Sequence, residues 1–208
     1  MILIGQYDSP FVRRVGIALR LYDLPFTHQP WSSFSEADKI RPYNPLTRVP
    51  TLVLDDGDVL TESHAMLDYL DSLVPAERAM FPRQEPERHK SLMVATLATG
   101  LADKAVSLFY ERRLHEQVSP VWSERCRTQI AAVLDVLEAK RAARTSAFWF
   151  GDKISHADIA IAVVLRFVGD VHGGVIDLAK YPALQRHAAH CEAMPVFQEI
   201  SQPFAPPA

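Results

Sequence analysis

The stretch that decides the fold is ILIGQYDSPFVRRVGIALRLY, at positions 2–22 of the chain. Its start, Ile2-Leu3-Ile4, is apolar and typical of a short buried strand. Ser9 then offers a side-chain cap for a helix, and Pro10 has the fixed backbone angle that suits the first helical position. Apolar residues follow at spacings of three and four, at Val15, Ala18, Leu19 and Tyr22. The stretch therefore predicts a strand followed by a helix with one buried face.

The next fifty residues extend this start into a small domain. Residues 26–30 suit a second short strand. Two further strand signals, at 50–54 and 58–60, flank Asp55-Asp56-Gly57, a turn sequence whose glycine can adopt the positive φ of a hairpin. An amphipathic helix is indicated by Ala65, Met66, Tyr69, Leu70 and Leu73. The order βαβ followed by ββα predicts a small mixed sheet with helices packed on it.

The sequence pattern changes from mixed strand and helix signals to helix signals beyond this region. Three prolines among charged residues make residues 74–86 a predicted linker between domains. Strand signals then almost disappear, and apolar residues recur every three or four positions, for example at Met93, Leu97, Leu101, Ala105 and Leu108. Ser155 and Asp158 have the spacing of a capping box, and the helix that they open is apolar on every side over Ile159–Leu165. The second half therefore predicts an all-α domain with this helix at its centre.

Composition limits the classes of partner and compartment. Hydrophobic residues make up 48% of the 208 residues, and 22 Lys and Arg against 25 Asp and Glu give a net charge of −3. Because no dense basic run occurs, we expect a small molecule or a protein as partner, and neither nucleic acid nor a membrane. Two distant cysteines, Cys126 and Cys191, suit a reducing compartment. The short apolar start does not have the form of a signal peptide, so we expect a cytoplasmic protein.

Ser9 is the first of three sequence features that could take part in binding or catalysis. At a helix N-terminus it adjoins backbone N–H groups without helical partners and the positive end of the helix dipole. Both would stabilise a bound thiolate, and the hydroxyl could donate a further hydrogen bond to it. The alternative is that Ser9 only caps the helix. A hydroxyl has one donor and two acceptor sites, so the two roles can coexist.

The other two features precede a strand and a helix. Val49-Pro50 stands at the start of a predicted strand. A cis proline there would expose the backbone of Val49 for pairing with a peptide-like ligand. The alternative is a plain loop with two prolines. Glu62-Ser63 opens a helix and offers a carboxylate to an ammonium, and a hydroxyl and a helix N-terminus to a carboxylate. That combination suits the head of an α-amino acid, although an ordinary acidic helix cap is the alternative.

The order and spacing of these three features resemble the glutathione-binding pattern of the glutathione transferases, most closely that of bacterial members with a Ser before Pro at the first helix. The resemblance covers essentially the whole chain, including the linker and the helical second half with Ser155 and Asp158. It implies a thioredoxin-like α/β domain that binds glutathione at residues 1–79. It also implies an all-α, helical domain at residues 87–208 that carries the acceptor-substrate side.

For the thiol of glutathione, the resemblance implies stabilisation by Ser9. Relatives that form mixed disulfides have a Cys at this position, so the Ser argues against that mechanism here. Other classes use a Tyr near the end of the first strand, which makes Tyr7 a second candidate for the thiol partner. We prefer Ser9, because it adjoins the helix start.

For the rest of glutathione, the resemblance implies a set of binding residues. The backbone of Val49 would bond to the cysteinyl unit, with Pro50 in cis. Glu62 and Ser63 would hold the γ-glutamyl head, and Arg48 would reach the glycine carboxylate.

The function that the resemblance implies is that of a glutathione transferase enzyme with a role in detoxification. Glutathione would be the co-substrate, and its thiolate would attack a small electrophilic substrate or reduce a peroxide; a homodimer is implied as well. The alternative is a non-catalytic glutathione-binding, ligand-binding or regulatory protein on the same scaffold. His187, His190 and Cys191 have a spacing that suits metal ligands on a helix, but no fourth ligand lies nearby in sequence, so we expect no metal.

Overall fold

The computed structural model describes residues 1–207 and divides the chain into two compact units. The first comprises Met1–Glu85 together with the segment from Ala193 onward, and the second comprises Pro86–Glu192. The sequence predicted domains at residues 1–79 and 87–208, so the structure places the C-terminal segment differently.

A four-stranded mixed sheet forms the base of the first unit. Its strands are β1 (Ile2–Ile4), β2 (Thr27–Gln29), β3 (Thr51–Val53) and β4 (Val59–Thr61), in the order β2-β1-β3-β4. β1 is parallel to β2 and antiparallel to β3, and β3 and β4 form an antiparallel hairpin. Gly57 in the hairpin turn has a φ of +93°, a conformation that favours glycine. The predicted small mixed sheet is confirmed.

Three helices accompany this sheet: α1 (Pro10–Leu21), α2 (Ala37–Ile40) and α3 (Ser63–Ser72). α1 begins after Ser9, whose hydroxyl accepts the N–H of Val12 at 3.5 Å, and it packs against β1 and α3. The helices predicted at α1 and α3 are therefore present, whereas the single turn of α2 was not predicted.

The second unit is helical. Its elements are α4 (Glu87–Leu114), α5 (Pro120–Ala142), α6 (His156–His172), a 3-10 turn (Leu178–Lys180) and α7 (Pro182–Glu192). α6 packs against α4 and α7, and 13 of its 17 residues are buried, so it is the central helix that its sequence predicted. The carboxylate of Asp158 accepts the backbone N–H of Ser155 at 2.8 Å and that of Trp149 at 2.6 Å, which fixes the start of α6. The predicted all-α domain is confirmed.

Among the described residues, α4 is the one helix whose length and composition would allow it to cross a membrane. Its most apolar window of 18 residues has a mean hydropathy of 1.4. The core helix of a soluble protein passes the same test, and 44% of that window is buried. Because α4 packs against both α5 and α6, we interpret its apolar residues as part of the core of the second unit.

A last helix, α8 (Pro195–Glu199), packs against α1 in the first unit. The buried guanidinium of Arg13 donates to the backbone carbonyls of Phe197 and Ile200, each at 2.8 Å. Farther along, the side-chain oxygen of Gln202 accepts the N–H of Tyr7 at 2.8 Å. These bonds explain why the C-terminal segment belongs to the first unit and not to the helical one.

Part of the predicted linker is a fixed element of the first unit. Met80 and Phe81 are buried, and their N–H groups donate to the carboxylate of Asp71 at 3.3 and 3.0 Å. The phenol of Tyr22, at the end of α1, donates to the same carboxylate. Asp71 therefore joins α1, α3 and the segment that follows α3.

We expect Asp71→Ala to lower the free energy of unfolding by about 2–4 kcal/mol, because the phenol of Tyr22 and the N–H of Phe81 lose their acceptor. The N–H of Met80 keeps the phenol oxygen of Tyr22 as an acceptor at 2.8 Å. Glu77→Ala is the matched control, since Glu77 is exposed on the segment after α3. It should change the stability by less than about 0.5 kcal/mol. Urea unfolding followed by circular dichroism measures both values, and equal unfolding midpoints for the two variants would contradict the role of Asp71.

Candidate functional site

A cleft of about 310 Å³, partly open to solvent, lies at one edge of the sheet in the first unit. Its lining residues are Phe11, Asn44, Leu46, Arg48, Val49, Pro50, Thr61, Glu62 and Ser63. They come from the first turn of α1, the loop before β3, the end of β4 and the start of α3. The cleft thus brings together the five residues that the sequence analysis proposed for binding, which are Arg48, Val49, Pro50, Glu62 and Ser63.

Strand register explains why these segments meet. Thr51, the first residue of β3, pairs with Ile4 at the end of β1 and with Thr61 at the end of β4. The residues before β3, after β4 and after β1 therefore leave the sheet at the same edge. Gly5 has a φ of +128°, and a Cβ at this position would lie 2.7 Å from the Cβ of Val49. Glycine is required here for the chain after β1 to pass so close to the loop before β3.

Asn44 holds the loop before β3 and is 1% exposed. Its side-chain amide donates to the carbonyl of Arg48 and to the hydroxyl of Thr51, both at 3.0 Å. Its side-chain oxygen accepts the N–H of Leu46, also at 3.0 Å. These bonds fix the backbone path toward Val49-Pro50, whose peptide bond is cis as the resemblance implied.

Glu62 and Ser63 form another wall of the cleft. Glu62 has a φ of +67°, which is uncommon for a residue with a side chain, and its carboxylate pairs with Nη1 of Arg48 at 3.2 Å. Both of these charged side chains are more than half exposed. Ser63 is the first residue of α3 and is buried. Because a helix N-terminus carries partial positive charge, this wall offers an anion site beside an exposed carboxylate.

The two candidate thiol partners do not belong to the described lining of the cleft, although Phe11 in the first turn of α1 does. Ser9 caps α1 as an acceptor for Val12, which leaves its hydroxyl hydrogen available for another partner. The ring of Tyr7 stacks on His28 with 3.8 Å between centroids, and burial raises the pKa of Tyr7 to about 12. The role of Ser9 stays a prediction, supported by its place at the start of the helix that contributes Phe11.

Sequence models of one family match both halves of the chain. The model of the glutathione S-transferase N-terminal domain matches residues 3–78, and that of the C-terminal domain matches residues 120–190. The chain belongs to the glutathione S-transferase family. This finding confirms the family, the thioredoxin-like plus helical fold and the prediction of a glutathione transferase enzyme.

The transferase is similar to relatives over most of its length. It is 31% identical to the uncharacterised GST-like protein YibF of Escherichia coli K12, over 81% of this chain and 82% of that protein. It is 24% identical to a probable maleylacetoacetate isomerase of Caenorhabditis elegans, over 94% of this chain and 90% of that one. A crystal structure of a Methylobacterium radiotolerans glutathione S-transferase with glutathione sulfonate matches with a TM-score of 0.88 and 27% identity, over 99% of this chain and 97% of that one.

Four residues of the transferase cleft had been given no role from the sequence: Phe11, Asn44, Leu46 and Thr61. Asn44-Pro45 is a turn signal just before a strand, so turn chemistry could have singled out Asn44. The apolar Phe11 and Leu46 carry no such signal, because isolated apolar residues near the surface are common.

The candidate metal ligands of the transferase do not converge. Nε2 of His187 lies 3.9 Å from Sγ of Cys191 and 3.3 Å from the Asp158 carboxylate, whereas the His190 ring packs against Phe148. Burial raises the pKa of the Cys191 thiol to about 12, which disfavours the thiolate that a metal would need. Within residues 1–207, no group of three or more His, Cys, Asp or Glu side chains could hold a metal ion.

We expect Asn44→Ala to destabilise the transferase by about 2–3 kcal/mol, because buried backbone and side-chain groups lose three hydrogen bonds. Amide hydrogen exchange over residues 46–51 should become faster, while exchange in the hairpin turn at Gly57 stays unchanged. Asn44→Asp keeps the acceptor for Leu46 but places a buried carboxylate oxygen against the carbonyl of Arg48, so it should destabilise the transferase at least as much. Exchange rates in Asn44→Ala equal to those of the wild type would show that Asn44 does not hold this loop.

Proposed function

We propose that the transferase binds glutathione in the cleft of the first unit and stabilises its thiolate for attack on an electrophilic substrate. The main support for this proposal is that one cleft is lined by all five residues expected to bind glutathione, which are Arg48, Val49, Pro50, Glu62 and Ser63. The similar structure with glutathione sulfonate supports it, because the likeness extends over 99% of this chain.

The γ-glutamyl head of glutathione would lie at the start of α3. Its carboxylate would accept hydrogen bonds from the Ser63 hydroxyl and from the helix N-terminus, and its ammonium would pair with the exposed carboxylate of Glu62. Since Glu62 pairs with Arg48 in the structure, the ligand ammonium would compete with that guanidinium. Arg48, once displaced, would be available for the glycine carboxylate.

The cysteinyl unit would pair with the backbone of Val49 in the manner of an added strand. Asn44 fixes the loop that presents this backbone, because it binds the carbonyl of Arg48 just before Val49. The cleft would thereby hold glutathione in an extended conformation, with its thiol directed toward the start of α1.

Activation of the thiol needs a modest electrostatic contribution. A free thiol has a pKa near 8.5, so only about 3% is thiolate at pH 7. A helix N-terminus contributes about 0.3–2 kcal/mol, and a hydrogen bond to a charged group contributes about 1.5–3 kcal/mol. Because one pKa unit corresponds to about 1.4 kcal/mol, the two together lower the thiol pKa by about two units. Ser9 would act as the donor to the thiolate and not as a nucleophile.

The same thiolate allows more than one reaction. It can displace a leaving group on an electrophilic carbon or reduce a peroxide. The likeness to an isomerase favours a second candidate, in which the thiolate adds to a conjugated cis double bond and leaves again after rotation about the resulting single bond. A protein that only binds glutathione would show calorimetric binding without turnover of an aryl halide, a hydroperoxide or maleylacetoacetate. A homodimer and a cytoplasmic location remain predictions.

We expect Glu62→Ala and Ser63→Ala each to weaken glutathione binding about ten- to a hundred-fold, because each removes a hydrogen bond to a charged group. Asp58→Ala, which removes an exposed carboxylate next to the hairpin turn, should leave the affinity unchanged. Isothermal titration calorimetry measures all three dissociation constants. Wild-type affinity in both cleft variants would refute the γ-glutamyl site.

We expect Ser9→Ala to lower the conjugation rate at neutral pH far more than it weakens glutathione binding. Loss of a bond made chiefly to the anion raises the pKa of the bound thiol, so the thiolate fraction falls and a higher pH restores part of the rate. Tyr7→Phe should leave the pH–rate profile unchanged. The measurement is the pH–rate profile of both variants together with the thiolate absorbance of bound glutathione.

The opposite result would identify a different thiol partner. If Tyr7→Phe shifts the profile and Ser9→Ala does not, Tyr7 is the donor. If neither variant shifts it, the helix N-terminus and the backbone stabilise the thiolate without Ser9, which is then only a cap.

A further inference from the structure

The C-terminal segment of the first unit runs back along α1 toward the start of that helix. Glu199, at the end of α8, pairs with Arg20 in the last turn of α1 at 2.7 Å. The next residue, Ile200, packs on Gly16 in the middle of α1, where an added Cβ would lie 2.9 Å from Cγ2 of Ile200. The residues that follow reach the loop between β1 and α1, which leads into Ser9.

Two hydrogen bonds join the segment to this loop. Oε1 of Gln202 accepts the backbone N–H of Tyr7 at 2.8 Å. The carboxylate of Asp8 accepts the N–H of Ala205 at 3.0 Å. Tyr7 and Asp8 are the two residues just before Ser9. The C-terminal segment therefore holds the backbone that carries the proposed thiol donor.

The side chain of Tyr7 holds the same loop from its other side. Its ring stacks on His28, and an added Cβ at Gly16 would lie 2.9 Å from Cε1 of Tyr7. Nε2 of His28 bonds in turn to the carbonyl of Gly5 at 2.8 Å, just before the loop. The ring is thus fixed by packing, and the bond to Gln202 fixes the backbone of the same residue.

Local bonds hold Ser9 less firmly. Its hydroxyl accepts the N–H of Val12 at 3.5 Å, beyond the usual length of such a bond. Its backbone N–H donates to the carbonyl of Gln6 at 3.2 Å. A hydrogen bond weakens steeply when its angle departs from linearity, so a donor to a thiolate must be held in one position. The bonds from the C-terminal segment supply a restraint that the helix start alone does not.

We propose that Gln202 is a positioning residue for the thiol of bound glutathione. By accepting the N–H of Tyr7, its amide fixes the loop so that the hydroxyl of Ser9 is directed at the thiolate. Gln202 acts through Ser9 and not on the thiol itself. This inference rests on the proposed function, because it takes Ser9 to be the donor to the thiolate.

Gln202→Met tests this role, because it keeps the length and the neutrality of the side chain but removes the accepting oxygen. The thiol pKa of bound glutathione is titrated by thiolate absorbance on the full-length protein, which requires no acceptor substrate. We expect this pKa to rise by about half a unit, which lowers the ratio of thiolate to thiol about threefold. At a pH low enough to protonate the bound thiol, the dissociation constant of glutathione should stay within about twofold of the wild type.

Gln198→Met is the matched control, since it makes the same change at an exposed position of α8. It should leave the thiol pKa unchanged. Gln202→Ala, which also removes the packing of the side chain, should raise the thiol pKa as Gln202→Met does. Gln202→Met combined with Ser9→Ala should raise it no further than Ser9→Ala alone, because the residue through which Gln202 acts is then missing.

The outcomes distinguish this inference from the proposed function. If Ser9→Ala raises the thiol pKa and Gln202→Met does not, Gln202 has no positioning role and Ser9 remains the donor. An equal rise from Gln202→Met with and without Ser9 would also overturn the inference, because the effect would not pass through Ser9. A wild-type thiol pKa in Ser9→Ala would instead refute the proposed donor, and the positioning role with it.

Discussion

The pairing of Thr51 with both Ile4 and Thr61 is the constraint on which the rest of the cleft depends. It brings the ends of three strands to one edge of the sheet, so the segments that leave the sheet there must converge. Side chains alternate between the faces of a strand, and a shift of the register by one residue would turn each of them to the opposite face. Gly5 makes the convergence sterically feasible, since it lets the chain after β1 pass close to Val49.

Local signals in the sequence predicted the elements around this edge, and tertiary contacts account for what was not predicted. Ser9-Pro10, the glycine turn of the hairpin and the capping pair at α6 each act within a few residues, so their patterns are visible in the sequence. The attachment of α8 to α1 depends on bonds between residues nearly two hundred positions apart, which leave no local pattern. Arg14 of α1 is likewise buried and donates to the hydroxyl of Ser63 at 3.3 Å. The sequence did not indicate this contact, because charged residues are normally expected at the surface.

Three buried polar side chains connect separate elements of the first unit. Asn44 fixes one loop, Asp71 joins two helices to the segment after α3, and Arg13 secures α8. Each binds backbone groups, and Asn44 and Asp71 also bind a side-chain hydroxyl. A polar group in such a place specifies one geometry, because any other arrangement would leave it unsatisfied in a medium of low polarity. Of the three, Asn44 lines the cleft, whereas Asp71 and Arg13 lie outside its described lining.

The bonds of Arg13 to Phe197 and Ile200 have a consequence for the order in which the protein is made. Residues 1–85 are synthesised before α8, and the whole helical unit is synthesised in between. Until then Arg13 lacks the carbonyls that satisfy it, and the unit that carries the cleft lacks one of its helices. Domains generally fold as their chain emerges, but here the first unit completes its packing only after its own C-terminal segment has been synthesised. During that interval the face of α1 that α8 covers in the finished protein stays exposed on the nascent chain.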